Sequence, residues 1–334
     1  MRGIKFVLSN SQTLVFPIHK RNITQRLSIA VVVVLGSLSQ LKDYELAQKT
    51  IDCYCQYHGY PFFRIFLDED EEYSQFCHQS DGMFKRHCVL QRIMISNPEY
   101  EYFVFLDADM GVVNPNHLFE EYIDPNYNVV LYERVFSYEV AAGSYIVKNT
   151  EFSNKFLQDW ANYETKLPRY AFHGSDNSAL HQLLLDYSSP TNSKKCKLVW
   201  EFSRTWNGVW RYIACVRLFL NLDSPIWQQI QIRPKGTKSV WVRDGWLTDS
   251  HWSPRDFLFH GWKTQKMNTV LYEGWLTPFA MEFDMEKCSS EKAHENWSYK
   301  DTFITTDEKV EKMLEKTIKN VAKQYENQIS EWET

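Results

Sequence analysis

Two aspartates separated by one residue, Asp107 and Asp109, directly follow the apolar run 102–106. In an extended chain, residues two apart point to the same side, so both carboxylates would share one face. Two carboxylates on one face repel each other unless a cation lies between them. Carboxylate oxygens favour hard divalent ions such as Mn²⁺ or Mg²⁺. The Asp107-Ala108-Asp109 motif therefore predicts a metal site at the end of a buried strand.

A second polar motif, His260-Gly261-Trp262-Lys263, follows another apolar run far downstream. A histidine can supply a nitrogen ligand to the same ion. The glycine lets the backbone approach a phosphate closely, and the lysine offers positive charge to a departing diphosphate. Alone, His260 is more typical of a buried structural histidine. Together with the two aspartates it becomes a candidate third metal ligand.

Two other interpretations of the aspartate pair compete with a metal site. The first is an acidic turn that caps the next element. The second is the nucleophile of phosphatases and phosphotransferases, which lies in a DxDx(T/V) motif after an apolar strand. That motif normally opens its domain, whereas here it follows two strand–helix units, and its Thr or Val position is Gly111. Both interpretations are therefore weaker than the metal site.

The elements that must position these residues begin with an apolar, β-branched run at 26–35, which predicts a buried parallel strand. Apolar residues recur at helical spacing over 41–58, and Gly59 occupies the C-cap position. A second strand is predicted at 62–67. Strand, helix and strand in this order predict a parallel pair with a right-handed crossover. A helix at 83–96 then leads to the strand 102–106, whose carboxyl end is where ligands bind in open α/β sheets.

The remainder of the chain divides less clearly. We predict a short helix near 117–122, strands at 128–132 and 141–147, and helices at 151–163 and from Ser175 onward. The stretch 197–259 reads as short strands and Trp-rich loops. A charged amphipathic helix is predicted at 307–332. The predicted organisation is an irregular N-terminal arm (1–25), one α/β domain (26–285), and a C-terminal segment (286–334) whose helix packs on that domain.

Composition excludes some classes of function. The net charge is −5 and the pI about 6.1, without a basic stripe, so nucleic acid is not an expected partner. The apolar stretch 27–38 is too short to span a bilayer, which needs about 20 residues. Membrane attachment would therefore require an anchor outside this chain. Seven cysteines without a CxxC pair argue against a structural zinc site and leave at least one thiol free or paired elsewhere.

Four segments, in the same order, resemble glycosyltransferases of the GT-A fold. The resemblance is to the α-galactosyl and α-mannosyl/xylosyl transferase family and to the glycogenin-like family, and the chain is also similar to an uncharacterised nematode family of this type. The segments are YFVFLDADMGVVNP at 102–115, AGSYIVKN at 142–149, SDNSAL at 175–180 and HGWK at 260–263.

The resemblance implies a fold, a reaction and a location. The fold would be α/β, with a Rossmann-like, mixed and mostly parallel sheet flanked by helices. The reaction would be Mn²⁺- or Mg²⁺-dependent, retaining transfer of a hexose or pentose from a UDP- or GDP-linked sugar to a glycan or protein acceptor. The alternative is a catalytically inactive protein of the same fold that binds nucleotide sugars or carbohydrate. The location would be the Golgi or endoplasmic reticulum lumen, which the sequons at Asn22 and Asn296 also favour.

The resemblance also assigns roles to individual residues. The metal ligands would be Asp107, Asp109 and His260. Asp176 and Asn177 would lie near the sugar. Asn177 occupies the position at which the family usually has a glutamine. The residues expected to contact the nucleotide, its diphosphate or the donor sugar are Leu35, Gly36, Ser37, Lys85, Arg86, Asp107, Ala108, Asp109, Gly143, Gly261 and Lys263.

Some of these residues also have purely structural explanations. Asp176 could instead cap the N-terminus of its helix, where aspartate is favoured. Trp206 and Trp210, four residues apart, can stack on an acceptor sugar, although packing is the better expectation for both.

Overall fold

The computed structural model describes residues 7–8, 13–15, 27–269, 272–330 and 332, with side chains from residue 27 onward. The strands are β1 (Val7–Leu8), β2 (Thr13–Val15), β3 (Ile29–Leu35), β4 (Phe62–Phe66), β5 (Tyr102–Leu106), β6 (Gly111–Val112), β7 (Val129–Tyr132), β8 (Ser144–Lys148), β9 (Ile230–Arg233), β10 (Val242–Asp244), β11 (Leu258–His260) and β12 (Ser298–Lys300). The α-helices are α1 (Glu45–His58), α2 (Glu71–Phe76), α3 (Gly82–Ser96), α4 (Glu151–Ala161), α5 (Ser175–Ser188), α6 (Pro190–Glu201), α7 (Trp206–Phe219) and α8 (Asp307–Ile329).

A six-stranded sheet forms the centre of the molecule, in the order β4-β3-β5-β8-β7-β9. Strands β4, β3 and β5 are parallel, and so are β7 and β9. Strand β8 pairs antiparallel with both β5 and β7, so it alone runs against the other five. The predicted class, a mixed and mostly parallel α/β sheet flanked by helices, is confirmed.

The first crossover follows the sequence prediction closely. Strand β3 pairs in parallel with β4, from Val31 opposite Phe62 to Leu35 opposite Phe66, and α1 connects them. Gly59 ends α1 in the left-handed region, with φ 71°, as its position predicted. The first part of the predicted helix differs, because Leu38–Tyr44 is a 3₁₀ helix.

Both faces of the central sheet are covered, which explains why its strands read as continuous apolar runs. Alternate residues of β3 enter two cores: Ala30 and Val32 pack with α3, α4, α5 and α7. Val31 and Val33 pack on the other side with α1 and the aromatic residues of the C-terminal third. A small sheet, β10-β11-β6, belongs to that second side.

The interpretation of 197–259 as short strands and loops was wrong over its first part. The chain forms α6 and α7 there, before the strands β9 and β10. Helix α7 is rich in β-branched and aromatic residues and buries Val209, Tyr212, Ile213 and Val216 among its neighbours. The spacing of these four residues, i, i+3, i+4 and i+7, is helical, but β-branched and aromatic residues also favour strands, and that composition misled the prediction.

Described residues near each end of the sequence pair or pack with other elements. Most of the predicted irregular arm, 1–25, lies outside the described residues, but β1 and β2 within it pair with each other, and β2 pairs with β12. At the other end, α8 buries Val310, Leu314 and Val321. The segment between residue 286 and α8 is built of 3₁₀ turns and β12 rather than a continuous helix.

Three disulfides join cysteines that lie in the described ranges: Cys53–Cys288, Cys77–Cys88 and Cys196–Cys215. Cys55 is free and buried, which is one of the two outcomes that the odd cysteine count allowed. Of the two sequons, Asn22 lies outside the described residues. Asn296 is only 3% exposed, and its amide hydrogen-bonds to Asp284 O at 3.0 Å, so this sequon is sheltered in the folded chain. None of the helices in the described ranges has the length and apolar character needed to cross a bilayer.

Candidate active site

An open cleft of about 740 Å³ lies at the carboxyl ends of the parallel strands β3 and β5. Its walls also include the beginning of α3, the beginning of α5 and the residues that follow β11. Ligands of open α/β sheets bind at this edge, and the volume is in the range of about 300–1,000 Å³ that small-molecule sites occupy.

The aspartate pair lies in a tight turn immediately after β5. Asp107 N donates to Gly143 O at 2.7 Å, and Met110 N donates to Asp107 O at 3.0 Å. Gln48 holds the Ala108 carbonyl from α1, at 2.8 Å. Asp107 and Asp109 both line the cleft, and Asp109 is only 5% exposed.

The segment His260-Gly261-Trp262-Lys263 is brought to this turn by strand pairing. Strand β11 lies antiparallel to β6, with Phe259 opposite Gly111. Just beyond the strand, Trp262 N donates to Asp109 O at 2.9 Å. A pairing of residues about 150 positions apart, arranged by the small sheet, thus carries His260 to the aspartates.

One oxygen from each of Asp107 and Asp109 and one nitrogen of His260 lie within 4.8 Å of one another. His260 Nε2 is 3.3 Å from Asp109 Oδ1, and Lys263 Nζ is 3.6 Å from Asp109 Oδ2. Two carboxylates and one imidazole form a donor set that suits Mn²⁺ and related divalent ions. These three side chains can therefore hold a metal, with Lys263 beside it.

His260 is fixed from behind by Asp244, whose Oδ1 atom lies 2.7 Å from His260 Nδ1. Arg134 Nη2 donates to the same oxygen at 3.1 Å. Burial alone would raise the pKa of Asp244, but Arg134 and His260 hold it down at about 2. Burial lowers the pKa of His260, yet Asp109 and Asp244 outweigh it, so the net shift is upward.

A second network of ion pairs and hydrogen bonds links Asp107 to α5. Arg86 contacts Asp107 Oδ1 through one terminal nitrogen and Asp176 Oδ2 through the other, the latter at 2.6 Å. His87 Nε2 lies 3.0 Å from the same Asp176 oxygen, and Tyr145 OH lies 2.8 Å from His87 Nδ1. Burial would raise the pKa of Asp176, but Arg86 and His87 lower it overall, so this carboxylate stays ionised.

Asp176 does not cap α5, contrary to one of its two interpretations. The N-cap is Gly174, and the Asp176 carboxylate turns to Arg86 and His87 instead. Gly174 and Ser175 both have positive φ, 67° and 55°. A left-handed serine is uncommon, and such conformations concentrate at binding and catalytic sites. This turn aims Asp176 inward.

The other predicted site residues divide into three groups. Leu35, Gly36, Gly261 and Lys263 line the cleft. Ser37 and Lys85 lie outside its wall, and Ser37 Oγ instead pairs with Ser39 Oγ at 2.8 Å.

Gly143 and Asn177 lie behind the wall, in supporting positions. A β-carbon at Gly143 would come within 2.2 Å of Asp107 Oδ2, so the glycine makes room for that carboxylate. Asn177 Oδ1 accepts from Ala142 N at 2.9 Å, and its amide donates to Glu139 at 2.5 Å. Both residues therefore shape the site from beneath instead of facing the cleft.

Sequence reasoning missed Asp244, Arg134 and His87. Asp244 had a recognisable signal, because it ends a strand as Asp107 follows one, and β10 lies parallel to β11 with Asp244 opposite His260. Arg134 and His87 had no comparable signal, since their partners are distant in sequence.

Residues 51–275, more than half of the chain, match a family described as "Protein of unknown function, DUF273". The chain belongs to this family.

Two solved structures are similar over part of the chain. The first is a glycosyltransferase involved in the glycosylation of the major capsid of PBCV-1, with a TM-score of 0.33 and 21% identity, covering 43% of this chain and 70% of that one. The second is the glycosyltransferase GlyE of Streptococcus pneumoniae TIGR4, with a TM-score of 0.33 and 16% identity, covering 47% of this chain and 43% of that one. None of the curated proteins matches the sequence significantly.

Proposed function

We propose that this protein is a metal-dependent glycosyltransferase that uses a UDP- or GDP-linked sugar as donor. The observation that carries the proposal is the convergence of Asp107, Asp109 and His260 within 4.8 Å in one large cleft, with Lys263 beside them. Hard oxygen and imidazole donors next to a lysine suit a divalent ion bound to a diphosphate.

The charges of the site favour an anionic ligand bound together with a cation. The cleft wall carries six carboxylates and four lysine or arginine side chains: Asp81, Asp107, Asp109, Asp176, Asp244 and Glu273 against Arg86, Arg134, Lys263 and Lys266. A divalent ion would balance this excess of two negative charges and allow a diphosphate to bind. Bound there, the metal would neutralise charge that develops on the leaving diphosphate.

In the proposed reaction, an acceptor hydroxyl forms a bond to the anomeric carbon as the bond to the diphosphate breaks. The diphosphate leaves with the bonding electron pair, and the hydroxyl proton passes to it or to water. Lys263 offers a positive charge to the departing phosphate. Asp176, held ionised by Arg86 and His87, would accept hydrogen bonds from sugar hydroxyls or stabilise positive charge at the anomeric carbon. Retention of configuration is carried into the proposal from the family resemblance.

The decisive experiment is a panel of UDP- and GDP-sugars with Mn²⁺, scored as released nucleoside diphosphate. We expect turnover of at least one donor, loss of turnover on chelation with EDTA, and loss by about 100-fold or more in Asp109→Ala, because a metal ligand is removed. Asp223→Ala, which removes an exposed carboxylate after α7, is the matched control and should retain turnover. Wild-type turnover in folded Asp109→Ala would refute the assignment.

One observation favours a second candidate, a catalytically silent protein that binds nucleotide sugars. Arg86 pairs with Asp107 and Lys263 with Asp109, so both carboxylates have cationic partners within the chain itself. Calorimetric titration with UDP and GDP, with and without Mn²⁺, separates the two candidates. Binding without turnover of any donor favours the silent protein, and absence of binding of either nucleotide, with or without Mn²⁺, contradicts both.

We further propose that the protein acts in the lumen of the endoplasmic reticulum or Golgi. Three disulfides among seven cysteines support this, because disulfides persist in oxidising compartments and are rare in the cytosol. Retention of the disulfides in protein isolated from the native cell, measured by thiol labelling before and after reduction, tests the proposal. Fully reduced cysteines would contradict it.

A further inference from the structure

An aromatic pair stands at the edge of the cleft. Trp206 is the first residue of α7, lines the cleft and is 57% exposed. The ring of Phe172, itself 39% exposed, meets it edge-on at 4.9 Å between centroids. We name these two residues the aromatic platform.

Hydrogen bonds to the backbone position Phe172 in the aromatic platform. Phe172 N donates to Ser203 O at 3.1 Å, and Ser203 Oγ donates to Phe172 O at 2.6 Å. One helical turn after Trp206, Trp210 is partly buried and packs on Tyr138 at 5.6 Å. The expectation of packing therefore holds for Trp210, whereas Trp206 leaves more than half of its surface available to a ligand.

Polar groups suited to sugar hydroxyls lie in the same cleft. Ser175 Oγ donates to Asp81 Oδ2 at 2.9 Å, and both residues line the cleft wall. A carboxylate has about four acceptor positions, so Asp81 can accept further bonds beyond those from Ser175 and from Met83 N.

Trp206 of the aromatic platform shares the cleft wall with the proposed reaction centre, and Phe172 precedes Ser175 by three residues. Ser175 directly precedes Asp176, and Arg86 joins the Asp176 carboxylate to Asp107. A ligand that contacts the platform and Ser175 would therefore lie beside the residues proposed to hold the donor sugar. This is where an acceptor must bind if its hydroxyl is to reach the anomeric carbon.

We propose that Trp206 stacks against a pyranose ring of a glycan acceptor, with Phe172 edge-on beside it, while Asp81 and Ser175 bind the sugar hydroxyls. The negative face of an indole attracts the polarised C–H groups of a sugar, and the neighbouring carboxylate and hydroxyl match its equatorial rim. The inference rests on the proposed function and names its acceptor class: a carbohydrate rather than a peptide side chain.

The test is binding of simple methyl pyranosides of glucose, galactose, mannose, xylose and N-acetylglucosamine, followed by saturation-transfer NMR. The full chain is studied with Mn²⁺ and either UDP or GDP present, and without them. Trp206→Ala is compared with Trp206→Phe, which keeps a ring, and with Phe76→Ala, which removes a ring that is 48% exposed outside the cleft wall. Thermal melts check that each variant is folded.

We expect saturation transfer to ring protons of at least one pyranoside, and about tenfold weaker binding in Trp206→Ala, because stacking on an aromatic ring is lost. Trp206→Phe should retain part of the affinity, and Phe76→Ala all of it. Equal binding by wild type and folded Trp206→Ala overturns the proposal, as does absence of binding by all pyranosides. Trp206-dependent binding of a serine- or threonine-containing peptide, without pyranoside binding, also overturns it and favours a protein acceptor.

Failure of this proposal is distinguishable from failure of the proposed function. Pyranoside binding needs no donor turnover, so a folded protein without turnover can still show the platform. The converse result would be donor hydrolysis that depends on Asp109, is unchanged in Trp206→Ala, and occurs without any pyranoside binding. That result would support the transferase and contradict the proposed role of the aromatic platform.

Discussion

His260 Nδ1 lies 2.7 Å from Asp244 Oδ1, and its other ring nitrogen faces Asp109 at 3.3 Å. Because the carboxylate accepts a hydrogen bond, Nδ1 carries a proton, and in the neutral ring the lone pair of Nε2 would be directed toward the aspartate turn. A carboxylate behind a histidine commonly fixes the tautomer and orientation of a metal-binding ring.

Asp244→Asn should weaken Mn²⁺ binding by about 10- to 100-fold, because the ring loses its orienting carboxylate. Isothermal titration with Mn²⁺ measures the effect, and circular dichroism checks the fold. Asp159→Asn, which alters a partly exposed carboxylate on α4, is the control and should leave the affinity unchanged. Unchanged affinity in folded Asp244→Asn would show that the contact does not serve metal binding.

Gly143→Ala should reduce Mn²⁺ affinity and turnover while the protein stays folded. The added β-carbon would come within 2.2 Å of Asp107 Oδ2, closer than atoms can approach, so the carboxylate must move. A shift of about 1 Å near a reaction centre can cost about 100-fold in rate. Gly143→Val should be worse than Gly143→Ala. Equal metal affinity across wild type and both variants would contradict the assigned role.

Acid should destabilise the protein through two buried histidines. Burial lowers the pKa of His87 to about 4 and that of His181 to about 3, from an ordinary value of 6.5. Val140 N donates to His181 Nε2 at 2.9 Å, so a proton there would oppose a backbone N–H. Between pH 6.5 and about 4 these two histidines bind more protons in the unfolded chain than in the folded one, so their contribution to the free energy of unfolding falls as pH falls.

Urea unfolding at a series of pH values measures this dependence. His181→Asn should lower the slope by up to about 1.4 kcal/mol per pH unit within the window, because one differential proton is removed. A pH dependence in folded His181→Asn equal to that of wild type would show that His181 is not held neutral.

The Cys53–Cys288 disulfide should contribute strongly to stability. It joins α1 to the C-terminal segment across 235 residues, and closing a long loop restricts the unfolded chain. The double variant Cys53→Ser, Cys288→Ser should lose about 2–5 kcal/mol in the free energy of unfolding. Cys55→Ala, which removes the free buried thiol nearby, is the control for cysteine substitution in α1. A double variant as stable as wild type would argue that the bond is dispensable.

The sequence alone predicted the strands and helices that frame the aspartate turn. Strand β5 was predicted with its observed bounds, and α3 within one residue at its start. These elements carry strong local signals: continuous apolar runs for strands buried on both faces, helical spacing, and turn-forming residues at their ends. The candidate ligands Asp107, Asp109 and His260 were recognisable for the same reason, because each follows or ends an apolar strand.

The partners that surround those ligands were decided only by tertiary structure. Asp244 meets His260 because β10 and β11 align in one register, and Arg86 joins Asp107 to Asp176, which lies 90 residues after Arg86 in the chain. Trp206 is exposed while Trp210 packs, although both have the same residue type and helical spacing. Local sequence fixes which residues can do chemistry. Register, ion pairing and exposure depend on contacts between distant segments, and these form only when the whole chain packs.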